Sequence, residues 1–163
     1  MNHLAYEDGR VVGKRGLRFA EVNDAAREAE QLLASGYTEI GEWSLAENCA
    51  HLRKTFEYSV DGFPVKLPLW MRIIIKIAIS KKKVFREGFK PGIKLSGRFA
   101  ALLPGENLND AEEVAKLKKA ITRFQQSNTS MPSPVLGTMS FEDWKILHCR
   151  HCEHHLGMLR PKG

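Results

Sequence analysis

Four of the six histidines in this 163-residue chain fall within eight positions near the C-terminus, in LHCRHCEHHLGML. His151 and His155 are four apart, so a helix stacks their imidazoles on one face where both reach a single metal ion. His148, three residues before His151, shares that face. Divalent zinc and nickel both suit imidazole, and neutral histidine ligands leave such an ion open positions for a water, a thiol or a carbonyl oxygen. Two histidines need a further ligand, and only His3 and His51 remain. His51 lies mid-helix in WSLAENCAHLRKTFEYS, which makes it the natural partner. The bland alternative is a hydrogen-bonded core pair or an exposed histidine patch.

At ~100° per residue, Trp144, Leu147, His148, His151, His155 and Met158 share one stripe, with Cys149 and Glu153 opposite. On the helix carrying His51, Ser44, Glu47, Asn48, Thr55 and Tyr58 line the same face. Asn48, one turn before His51, is placed to orient a metal-bound water or an imidazole lying behind the ligands. His148, three before His151, adds a third histidine to that ligand stripe. Two sharper motifs fail. In HCEHH the glutamate stands one place too late for the zincin H-E-x-x-H and points away from the pair. Cys149 and Cys152 form a C-x-x-C in mid-helix, away from the helix N-terminus where a dipole activates thiols. They read as ordinary helix cysteines, with a structural zinc site the lesser alternative.

The elements that must position these residues read as mostly helical. A first helix is expected from Asn23, its N-cap, to Ser35, stopped by Gly36. A second follows the capping box Ser44–Glu47 and runs to about Val60. A long crossover from Asp61 to Leu108 carries an apolar helix around Trp70 to Ser80. A third long helix spans about Asn109 to Gln126, and the last runs from its cap, Ser140, to about Leu159. Residues 1–22 fit a short extended segment or an arm. Four long helices and one long crossover fit an all-α four-helix bundle, a single domain over 1–163.

Composition is ordinary for a globular protein, at 43% hydrophobic and 27% charged residues. The net charge of +6 is uneven: residues 66–98 hold ten Lys/Arg against one acid, Glu87. The apolar run PLWMRIIIKIAIS inside that stretch is too short and too charged to span a bilayer. Its helix, around Ile73 to Ile79, would suit a homodimer contact. Aromatic residues do not alternate with the basic ones, so nucleic acid is not the expected partner. Three cysteines and no apolar leader point to a reducing cytoplasm.

WSLAENCAHL, followed much later by VLGTMSFEDWKILHCRHCEHHLGML, resembles the DinB/YfiT-like superfamily of metalloenzymes. Within it, the chain is similar to a branch described as a domain of unknown function. RFAEVNDAAREAEQLLASG and YSVDGFP match its layout. The resemblance implies a four-helix bundle that binds a divalent ion through three histidines, one on the second helix and two on the last. These fall on His51, His151 and His155, which leaves His148 as a supporting residue or proton relay. Relatives include S-transferases that use low-molecular-weight thiols, and a few isomerases and hydrolases. The expectation is therefore a metal-dependent enzyme activating a thiol or water for transfer to, or hydrolysis of, a small molecule. The rival is a non-catalytic helical module that binds an anionic partner through residues 66–98.

Overall fold

The computed structural model describes residues 6–7, 10–64, 68, 80–89, 97–127 and 131–163. The apolar helix expected around Trp70 to Ser80 lies outside these residues apart from Ser80. So do the dimer contact drawn from it and most of the basic stretch.

The described chain is mostly helical. After the short hairpin β1 (Tyr6–Glu7) and β2 (Arg10–Val11) come α1 (Val22–Ser35), β3 (Tyr37–Glu39) and α2 (Leu45–Asp61). There follow α3 (Lys81–Glu87), a 3-10 turn (Gly97–Leu102), α4 (Asp110–Ser127), α5 (Phe141–Leu156) and β4 (Leu159–Pro161). Helix α2 packs along α4 and against α5, while α1 packs on α4 and α5. Their shared core holds the fully buried Leu32, Leu52, Phe56, Leu117, Phe124 and Leu156. Burying each such side chain contributes roughly 1.5–3 kcal/mol.

Helix α2 carries His51, and its start is locked by its first three free N–H groups, which would otherwise lack partners. Leu45 N donates to the Tyr37 hydroxyl at 3.1 Å, Ala46 N to Asp110 Oδ1 at 2.8 Å, and Glu47 N to Ser44 Oγ at 3.2 Å. The Tyr37 hydroxyl in turn donates to Asp110 Oδ2 at 2.9 Å. The first residue of α4 thus caps α2, which fixes the two helices in register. The Ser44–Glu47 capping box stands as the spacing implies, with Ser44 N donating to Glu47 Oε2 at 2.8 Å.

Two helix ends differ from expectation. The N-cap of α1 is Glu21, not Asn23, in a reciprocal box with Asp24. The Asp24 carboxylate accepts from both Ala20 N and Glu21 N, holding two donors that Asn23 would not reach. Helix α5 begins after the expected Ser140 cap but ends at Leu156, not Leu159. Chain segments distant in sequence stop it. Gly157 O accepts from Arg15 N at 2.8 Å, and β4 then pairs antiparallel with β3, Glu39 opposite Leu159.

The arm before α1 crosses the end of α5. Arg15 donates to Leu159 O at 2.6 Å and Leu156 O at 3.1 Å, and pairs with Glu28. Phe19 N donates to Glu153 Oε1 at 2.6 Å. Glu153 and Cys149, on the side of α5 opposite the histidine stripe, are therefore covered rather than solvated.

Candidate metal centre

His51 from α2 meets His151 and His155 from α5, and one nitrogen from each lies within 4.8 Å of the others. Ring centroids are 5.0 Å apart for His51–His151, 4.5 Å for His51–His155 and 4.7 Å for His151–His155. His51 is closed off from solvent, whereas His151 and His155 keep some exposed surface, so the cluster opens on their side.

Hydrogen bonds decide which nitrogens are free. His51 Nδ1 lies 2.8 Å from Leu102 O, delivered by the 3-10 turn. A carbonyl only accepts, so the proton sits on Nδ1 and the Nε2 lone pair is bare. The Asn48 amide nitrogen donates to Trp43 O at 3.1 Å and Ser44 O at 2.8 Å. Asn48 Oδ1 must therefore face His155 Nδ1, 3.1 Å away, and accept its proton. That leaves His155 Nε2 bare as well. Metal-ligating histidines usually donate their other N–H to a carbonyl or carboxylate, and two of these three do so. His51 Nε2 and His151 Nε2 are 3.1 Å apart, close to the ~3.3 Å between ligand atoms on a tetrahedral zinc with bonds of ~2.0–2.1 Å. The donor set fits a divalent ion of zinc or nickel type.

Burial favours the neutral rings that ligation requires. It pushes His51 down to about 4, against a smaller upward pull from its bond to Leu102. His151 and His155 are held well below 6.5, first by desolvation and then by their neighbouring imidazoles.

A family model described as "Protein of unknown function (DUF1569)" matches residues 12–162. The chain belongs to this family. Neither the curated proteins nor the solved structures compared with it gave a match.

Other members of the DUF1569 chain's histidine run sit elsewhere. His148 lies one turn below the cluster, its ring stacked on Phe56 at 3.8 Å and on Trp144 at 5.2 Å. Ser59 donates its hydroxyl proton to Phe56 O, so it accepts from His148 Nε2 at 3.0 Å. Desolvation brings His148 down to about 3. His154 flanks the cluster, with its ring 5.0 Å from His155. Cys49, Cys149 and Cys152 are buried free thiols; burial pushes all three up, Cys149 to about 11. Such thiols are poor nucleophiles.

Three residues at the cluster carried no ligand signal in the sequence. Trp43 stacks on His155 at 5.4 Å with the planes 11° apart, brought there by the β3–β4 pairing and the Ile40 N to Met158 O bond of 2.8 Å. Phe89 lies 4.9 Å from His151. Lys14 reaches His154 from the arm. Of these, only Trp43 lay within a singled-out motif, WSLAENCAHL.

Proposed function

We propose that this protein is a metal-dependent enzyme of the DinB/YfiT-like type. In this reading it is a single four-helix-bundle domain that transfers a group to, or hydrolyses, a small molecule. His51, His151 and His155 would hold the ion. The observation that carries the reading is the pair of Nδ1 bonds, to Leu102 O and to Asn48 Oδ1, which aim two bare Nε2 atoms into one small volume with His151.

A divalent ion so held would supply a Lewis acid with positions open to a thiol, a water or a carbonyl oxygen. The chain's own residues do the rest. Asn48 is a positioning residue that fixes the tautomer and tilt of His155. His148 positions the cluster from below by tying α5 to α2 through Ser59. Trp43 and Phe89 bound the opening with apolar surface, limiting water around it. No helix among the described residues is long and apolar enough to cross a membrane.

The test is elemental analysis of the purified protein beside His51→Ala and His151→Ala. The reading expects about one equivalent of zinc or nickel in the parent protein and loss in both variants. No metal in the parent protein after incubation with excess zinc and nickel overturns it.

A further inference from the structure

We propose that the mouth of the three-histidine cluster takes a small organic anion, anchored by the Lys14 ammonium, with its apolar body against Phe89 and Trp43. This rests on the metal-site reading above and names the substrate class of that site.

Lys14 is held in place from both sides. The next residue, Arg15, is bound to Gly157, Leu156 and Leu159 where the arm crosses the end of α5. The Lys14 ammonium then donates to His154 Nδ1 at 3.1 Å. The His154 ring also hydrogen-bonds the Phe89 backbone. Its centroid is 6.3 Å from the Phe89 ring and 5.0 Å from His155. Lys14, His154 and Phe89 therefore make one rim of the cluster, and Trp43 stacked on His155 makes another.

Charge at this rim is unbalanced. Among the described residues, only a neutral imidazole accepts from the Lys14 ammonium, and no carboxylate forms an ion pair with it. The acid acting on it, Glu153, is already engaged by Phe19 N, Arg150 and, at 3.6 Å, Arg18. A second ammonium, Lys54, lies beside His51 and is bound to Leu103 O. Three neutral ligands leave the full charge of a divalent ion uncompensated as well. Half-buried cations with neutral partners are costly to keep dry; desolvation indeed lowers the Lys14 pKa from 10.5. An anion at the mouth would offset both ammonium and metal. An ammonium has three donors and His154 takes one, so the remaining N–H groups suit a carboxylate or phosphate oxygen.

The experiment is calorimetric titration of the nickel-loaded full chain with benzoate, phenyl phosphate and the neutral benzamide, in the parent protein, Lys14→Met and Lys14→Arg. Nickel content is measured on the same samples. The expected result is preference for one or both anions over benzamide, at least ~10-fold weaker anion binding in Lys14→Met and retention in Lys14→Arg, with nickel content unchanged. Equal anion affinity in the parent protein and Lys14→Met, or no anion preference, overturns the inference while bound nickel leaves the metal site standing. Failure of the parent protein to bind either nickel or zinc overturns both.

Discussion

Replacing Asn48 with leucine, which branches at the same carbon, separates the support of the site from its ligands. The amide is 2% exposed and makes three hydrogen bonds: to Trp43 O, to Ser44 O and to His155 Nδ1. Ser44 O keeps a second donor, Asn48 N at 3.0 Å, so the change strands mainly Trp43 O and the His155 N–H. At roughly 1–3 kcal/mol per buried unsatisfied group, partly relieved by solvent near the mouth, the fold should lose about 2–3 kcal/mol. Metal affinity should fall by more than the fold alone explains. Loss of a partner behind a ligating imidazole costs roughly 10- to 100-fold, or about 1.4–2.8 kcal/mol. Competition with a chromophoric chelator for nickel or zinc reads this directly, with circular dichroism confirming that the variant is folded. The control is Thr55→Val, buried on the same helix but bonded only to its own turn, Leu52 O at 2.7 Å. It should lose about 1 kcal/mol of stability and no affinity. If Asn48→Leu binds metal within twofold of the parent protein, the amide does not orient His155 and the tautomer argument is refuted.

Two further outcomes follow from groups away from the cluster. His148 is neutral in the fold down to about 3, whereas the unfolded chain takes up that proton near 6.5. Stability is therefore lost as pH falls from 6.5 toward 3, by about 1.4 kcal/mol per unit for this group. Urea unfolding at pH 7 and pH 5 should show the parent protein losing about 2 kcal/mol more than His148→Gln over that interval; equal losses would refute the assignment. Gly157→Ala would set a Cβ 2.6 Å from Glu153 O of its own helix and 2.8 Å from Arg15 O, so both the end of α5 and the arm over it would have to shift. A loss of about 2–4 kcal/mol is expected, with faster proteolysis before Val22; a melting temperature equal to the parent's would show that the arm yields freely.

What the sequence disclosed was what is local. The boxes Ser44–Glu47 and Ser140–Asp143 need only three residues each, and both appear. The α1 cap misled because Asn outranks Glu at N-caps, while the reciprocal Glu21–Asp24 pair wins by satisfying donors on both sides. The i, i+4 spacing of His151 and His155 and the mid-helix place of His51 brought together the three residues that cluster. Asn48 was legible for the same reason, lying one turn from His51 on one face. The three-residue strands β3 and β4 were not legible, since nothing in YTE or LRP marks a pairing about 120 residues apart. Trp43 over His155 and Lys14 beside His154 depend on that pairing and on the arm, so their roles were hidden with it.

His148 shows where a helical wheel runs out. It shares the stripe of His151 but lies three residues, ~4.5 Å, along the axis. The bonds Asn48–His155, His51–His151 and Ser59–His148 descend α5 as they climb α2, so the two helices are antiparallel. At the level of His148, α2 offers Phe56 and Ser59 rather than another ligand. These three polar rungs cross an otherwise apolar interface, and a slip of one turn would strand all of them, so they set the register of α5 on α2. The Leu102 carbonyl and the Asn48 amide, both part of the fold itself, hold His51 and His155 each in one tautomer. Ordering those two imidazoles is thus accomplished by folding, before any ion arrives. A metal site prepared in this way would draw little on ion binding for its architecture, in contrast to small zinc domains that are unfolded without their ion. Most of the free energy of binding would then be available to hold the ion and to act on what approaches it through the opening between Trp43 and Phe89.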